Sequence, residues 1–338
     1  MFSIVSTQSS LRKLVENNAS WNKVIRNTGK FYVKIESDFT NDPEDPLMIL
    51  SMAGADIEES GDFIDNISSH PETVLEHPES VYILELDSNS CQSIQKDYGV
   101  LCYRIDGDSC AEPHLCMRGW SVTTLASKRR NWRNLLSNIK VPSNSLIIID
   151  RYLFSSEVGE TIQDAYDNLT DIMDMIIPQH LKTNYHVFIL FDFTQVKPRE
   201  CSRLAEISGK INKIKRGLGR DFPIDVEILS MDGNSYKYED THDRRILSNY
   251  YTITATRKIK AFRGDSPFYR QDIHFKHLFS EGLDDGNLSD IPQEAHAADL
   301  EFVNDVLDFA YEHWGNQYLY AVNGRETEEL NIINRLLS

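Results

Sequence analysis

The chain has 338 residues, with 35 basic side chains against 52 acidic ones and a formal charge of −17. That length suits two ordinary domains, and 41% hydrophobic residues supply enough apolar mass for a packed core, which excludes wholesale disorder. No apolar run approaches the roughly 18 residues that span a bilayer, and residues 1–14 lack a charged-then-apolar signal, so a cytoplasmic protein is expected.

In chain order, 31–35, 47–50, 81–86 and 100–105 are short apolar runs that predict strands. The stretch Asn41-Asp42-Pro43-Glu44-Asp45-Pro46 predicts a loop, and 88–98 a crossover helix opened by an Asp or Ser cap. Residues 146–150 form an uninterrupted apolar run, as expected of a strand covered on both faces. Over 160–177, Ile162, Ala165, Leu169, Ile172, Met173, Ile176 and Ile177 share one helical stripe that Pro178 closes. A second buried strand at 187–192, a basic helix at about 199–217 and a third strand at 224–229 follow. That alternation implies right-handed parallel crossovers.

From 235 to 262 short strands succeed one another without helices, predicting an antiparallel extension of the same sheet. The acidic stretch 280–294 reads as a linker, 299–314 as a helix and 326–337 as a last helix. The expected class is therefore α/β: a small acidic unit (1–116), a basic mixed-sheet domain (117–278), and an acidic linker with a helical tail (279–338). The tail either packs back on the core or docks a protein partner.

Charge is segregated along this plan. Residues 1–116 hold 8 basic and 20 acidic side chains (−12), 117–278 hold 25 and 19 (+6), and 279–338 hold 2 and 13 (−11). A basic domain between acidic flanks points to a polyanion, phosphate being the obvious group, although mutual neutralisation within the fold explains the same numbers. The cations cluster. Lys128, Arg129, Arg130 and Arg133 surround Trp132. Lys210, Lys213, Lys215 and Arg216 share one helix, and Arg257, Lys258 and Lys260 follow the late strands. Such surfaces bind nucleic-acid backbones through counterion release and stack a base on an aromatic ring such as Trp132. They also suit an anionic membrane surface or a plain solvated helix face.

Five scattered cysteines offer no disulfide framework, and Cys102, Cys110, His114 and Cys116 match no zinc spacing, so no cofactor is expected. Glu85 with Asp106 and Asp108 at strand ends forms a weak magnesium-site pattern of the Toprim-nuclease kind, equally readable as ordinary acidic turns. Asp150 and Asp192 end consecutive strands and read as caps before metal ligands.

The most informative stretch runs from Thr241 to Tyr251. His242, Arg244 and Asn249 fall at the spacing of a His-x-Lys-x4-Asp signature, with Arg in place of Lys and Asn in place of Asp. This resembles a divergent branch of the phospholipase D-like superfamily, similar to the C-terminal domain of MIT-domain proteins and related bacterial domains. Asp150-Arg151-Tyr152 resembles the Asp-x-Tyr strand end of that superfamily. The resemblance covers about 121–276, roughly half the chain.

It implies a mixed-sheet domain with a phosphate site at His242, Arg244 and Asn249, and an accessory role in a bacterial defence or mobile-element system. Catalysis in that superfamily needs two signatures. This chain has one, so cleavage would require a homodimer that pairs two copies of His242. The Gly-Ser pair expected after the signature is replaced by Ala255-Thr256. Arg244 offers a rigid bidentate fork that favours holding phosphate over cleaving it. Three alternatives stay open: a dimeric metal-independent phosphodiesterase, a metal nuclease in the first unit, and an interaction scaffold or sensor.

Overall fold

The computed structural model describes residues 2–17, 19–105, 114–125, 131–231, 244–280, 292–313, 319–322, 325–326 and 332–337. The chain divides into two units: Met1–Arg118 with His277–Ala297, and Gly119–Lys276 with Ala298–Ser338. The expected tail is thus shared between them.

The first unit runs β1 (Ser3–Thr7), α1 (Gln8–Asn17), α2 (Ala19–Arg26), β2 (Lys30–Lys34), α3 (Pro46–Met52), β3 (Asp56–Glu59), α4 (Gly61–Ile67), β4 (Val81–Leu84), α5 (Ser88–Tyr98) and β5 (Leu101–Arg104). Its five strands lie in the order β3-β2-β1-β4-β5, and every neighbouring pair is parallel. Asp87 caps α5 by accepting from the amides of Asn89 and Ser90, and Gly99 closes the helix at φ 69°. Residues 47–50 are helical rather than extended. Asp45 caps their first turn by accepting from the Leu47 amide at 2.8 Å, and Pro46 occupies the first helical position, where its missing N–H costs nothing.

The second unit comprises β6 (Trp120–Thr123), α6 (Trp132–Leu136), β7 (Ser145–Ile149), α7 (Ile162–Ile176), β8 (Tyr185–Asp192), α8 (Leu204–Gly217), β9 (Ile224–Met231), β10 (Arg244–Ser248), β11 (Tyr251–Ala255), β12 (Phe262–Arg263), β13 (Ser266–Pro267), β14 (Asp272–His277), most of α9 (Pro292–His313), β15 (Leu319–Ala321) and β16 (Arg325–Glu326). Its nine-stranded sheet has the order β16-β15-β9-β8-β7-β10-β11-β14-β6. At its centre β7, β8 and β9 are parallel, while β10 and β11 extend the sheet antiparallel.

Alternation along β7 builds two cores. Leu146 and Ile148 pack with the stripes of α7 and α8, whereas Ile147 and Ile149 pack with Leu300, Val303, Val306 and Leu307 of α9. A Thr161–Asp164 capping box starts α7. The apolar stripe of α9 is therefore spent on its own sheet. Residues 332–337 are not helical as expected. They are clipped to the sheet through the Ile333 amide on Glu227 (3.1 Å), Asn334 Nδ2 on the Leu146 carbonyl (3.2 Å) and Arg335 on the Asn184 carbonyl (2.7 Å). No helix among the described residues is long and apolar enough to cross a membrane.

Candidate phosphate-binding pocket

The carboxyl end of β7 sets the geometry. Asp150 follows the strand and is fully buried. One carboxylate oxygen accepts from the Tyr152 amide at 2.9 Å, and the other accepts from the Ile259 amide at 2.8 Å. These bonds tie the exit of β7 to the loop that follows β11. Burial pushes the Asp150 carboxyl above its ordinary range, opposed by those two amides and by Arg244, which lies 3.9 Å away. Asp192 plays a similar capping part at the end of β8, accepting from the Thr194 amide (2.8 Å) and from Arg151 (3.3 Å). Both aspartates are satisfied from within the fold.

Arg244 opens β10. In the antiparallel register Arg245 lies opposite Ile149, so Arg244 stands at the carboxyl edge of the parallel strands. Successive strand residues face opposite sides. Arg245 accordingly pairs with Asp299 of α9, and Arg244 shares the other face with Ile246. Next to it β11 ends at Ala255, and Thr256, Arg257 and Lys258 form the loop beyond. Gln271 shapes this loop. Its Oε1 accepts from the amides of Arg257 and Lys258, both at 3.1 Å, and its Nε2 donates to the Lys258 carbonyl at 3.0 Å.

The result is a half-open pocket of about 250 Å³ lined by Tyr152, Glu157, Arg244, Thr256, Arg257, Lys258 and Tyr269. Two tyrosine rings hold its cations. The guanidinium of Arg244 lies 5.4 Å from the Tyr152 centroid, and that of Arg257 lies 5.0 Å from the Tyr269 centroid. Behind the pocket, Lys258 and Lys260 share the buried carboxylate of Glu160, at 3.1 and 2.8 Å. Lys260 also donates to the Ser155 carbonyl, and burial lowers its pKa. Chemically the pocket offers two guanidinium forks, an ammonium and a hydroxyl to an anion, with aromatic faces beside them.

Of the residues singled out in the sequence, Arg244, Arg257 and Lys258 come together here, while His242, Arg129 and Arg130 lie outside the described residues. Among the remaining expectations, those for Asn249, Trp132, Arg133 and Lys260 need correction. Asn249 is no partner of Arg244. It sits past the far end of β10, five residues or about 16 Å along an extended chain. There its side chain is buried, accepting from the Asn144 and Ser145 amides at 3.1 and 3.2 Å. Trp132 is only 1% exposed, and its indole donates to the Ile259 carbonyl at 2.9 Å, so no base can stack on it.

Arg133 is drawn onto Asp171 and Asp174 of α7. Lys260 is sealed in the core. Lys210 and Lys213 are exposed on α8, and Lys215 and Arg216 line a separate depression with Arg220 and Asp225, where β9 begins and thus at the opposite edge of the sheet. Tyr269 and Glu157 carried no sequence signal, because each is a lone residue in a loop.

In the first unit, Glu85 is largely exposed and accepts from the Ser9 hydroxyl at 3.3 Å, while Asp106, Asp108 and Cys110 lie outside the described residues. Cys116 is buried, its thiol directed at the Ser20 carbonyl at 3.7 Å, and Cys102 is buried with it in the same unit. Among the described residues no three His, Cys, Asp or Glu side chains converge as a metal site would require.

No family model matches the chain, and no curated protein matches it.

Proposed function

We propose that the second unit is a phosphate-recognition module that engages nucleic acid through this pocket. The observation that carries the reading is the convergence of Arg244, from the start of β10, with Arg257 and Lys258, from the loop after β11, on one open volume walled by two tyrosines. At about 250 Å³ the pocket is smaller than the roughly 300–1,000 Å³ of a drug-sized site. It suits one phosphate with its sugar or base, and thus a single strand or an end better than a continuous duplex. Arginine at position 244 fits this role, since its planar fork grips two phosphate oxygens without needing to give up a proton. The spacing of His242 and Arg244, which resembles a degenerate phospholipase D-like signature, supports the same reading.

The test is retention of fluorescein-labelled single-stranded DNA and RNA on the full chain in chelator, read on native and denaturing gels. Retarded but intact nucleic acid that is lost in Arg244→Ala supports the module. Cleavage in chelator would replace it with a phosphodiesterase, and the absence of both would end the nucleic-acid reading.

A further inference from the structure

The turn at residues 157–160 brings one of the protein's own anions into the cationic pocket. The Glu160 amide donates to the Glu157 carbonyl at 3.1 Å, and Gly159 takes φ 87°, a left-handed value that a side chain would strain. Two carboxylates leave this turn with different fates. That of Glu160 is fully buried, holds Lys260 and Lys258, and accepts from the Glu157 amide at 3.2 Å. That of Glu157 is 61% exposed, pairs with Lys258 at 2.8 Å and accepts from the Tyr269 hydroxyl at 3.3 Å. The pairing with Lys258 holds the Glu157 carboxyl below its ordinary range, so it is charged at neutral pH.

We propose that Glu157 is a built-in counter-anion that occupies the place of a ligand phosphate, so that binding is an exchange in which the phosphate displaces Glu157 from Lys258. This rests on the phosphate reading of the pocket. Three features favour exchange. Glu160 stays on Lys258 throughout, so the nearly buried ammonium is never stranded. The Glu157 end of the pair is open to solvent, where screening weakens its hold on Lys258. A phosphate gains charge-assisted bonds to Arg244 and Arg257 that Glu157 does not make in its present position. The inner carboxylate thus builds the site, and the outer one sets its threshold, admitting anions that reach all three cations and discouraging weaker ones.

The experiment is fluorescence polarisation of a 5′-phosphorylated, fluorescein-labelled oligodeoxynucleotide in chelator, with inorganic phosphate as competitor. The proteins are the full-length wild type, Glu157→Gln, Arg244→Ala and Asp167→Asn, with thermal melts to confirm folding. Asp167 is an exposed acid on α7 and controls for bulk charge. The expected result is about three- to tenfold tighter binding by Glu157→Gln, no more than about a twofold change in Asp167→Asn, and competition by less phosphate in Glu157→Gln than in wild type.

If wild type binds and Arg244→Ala does not, but Glu157→Gln is unchanged or weaker, the pocket stands and the exchange is wrong. Equal tightening by Asp167→Asn also overturns it, as an effect of net charge. If neither wild type nor Glu157→Gln binds, the phosphate reading itself falls and the exchange with it.

Discussion

At the carboxyl ends of its parallel strands the first unit carries Ser9, Glu36 and Glu85, whereas the second carries Arg244, Arg257 and Lys258. Both edges are made the same way, by strands that stop and hand over to loops and helices. In the first, the acids are answered locally. The Ser9 amide donates to Glu36 at 3.0 Å, its hydroxyl to Glu85 at 3.3 Å, and Gln8 Oε1 accepts from the amides of Glu36 and Ser37, both at 2.9 Å. In the second, the cations stand around an open volume against tyrosine faces. The sheet edge supplies a location in either case, and the side chains decide what it attracts.

The comparison breaks most visibly at its buried polar anchors. Glu160→Ala leaves Lys260 in the core without its carboxylate and is expected to cost about 3–5 kcal/mol in urea unfolding. A loss below about 1 kcal/mol would show that the lysine is not held as described. Away from both edges, Glu227 is raised to about 7, chiefly by burial and against the pull of the Ile333 and Asn334 amides. The native state therefore keeps this proton more tightly than the unfolded chain. Its stabilising share is present below about pH 4.5 and is lost as pH rises through about 7.

Glu227→Gln is accordingly expected to match wild type near pH 4.5 and to gain on the order of 3 kcal/mol by pH 8. A gain that does not grow with pH would refute that. In the first unit Asp45 caps α3, accepts from Gln8 Nε2 at 3.0 Å and pairs with Arg12. Asp45→Ala is expected to cost about 1–3 kcal/mol and to leave nucleic-acid binding unchanged. The smallest effect belongs to the exposed cations of α8. Lys210→Ala with Lys213→Ala is expected to weaken binding less than about twofold, measured by polarisation in about 0.15 M salt.

Much of this architecture was legible in the sequence because periodicity and caps act locally. The run at 146–150, the stripe over 160–177 and the cap at Asp87 each specify an element without help from distant residues. The exception at 47–50 teaches the same point. Asp45-Pro46 is a helix start, but four apolar residues in a row also suit a strand, and the cap decided between them. The site was only partly legible. Arg244 and the Arg257–Lys258 pair were visible as cations near one strand, but their convergence depends on the antiparallel register of β10 and β11. Trp132 and Lys260 were misjudged because a sequence shows a residue's chemistry without its burial. Tyr269 and Glu157 reach the pocket only through tertiary contacts.

The central claim is that Arg244, Arg257 and Lys258 meet phosphate in one place, and its most direct test is the salt dependence of single-stranded DNA binding in chelator. Each phosphate contact on a single strand contributes a slope of about −0.7 in log K against log salt. Three cations closing on one phosphate neutralise one phosphate charge, so wild type should show a slope of about −0.7, and the Arg244→Ala/Arg257→Ala double variant a shallower slope with weaker binding at every salt concentration. Equal slopes and equal affinities for the two proteins would place the phosphate contacts elsewhere and contradict the account.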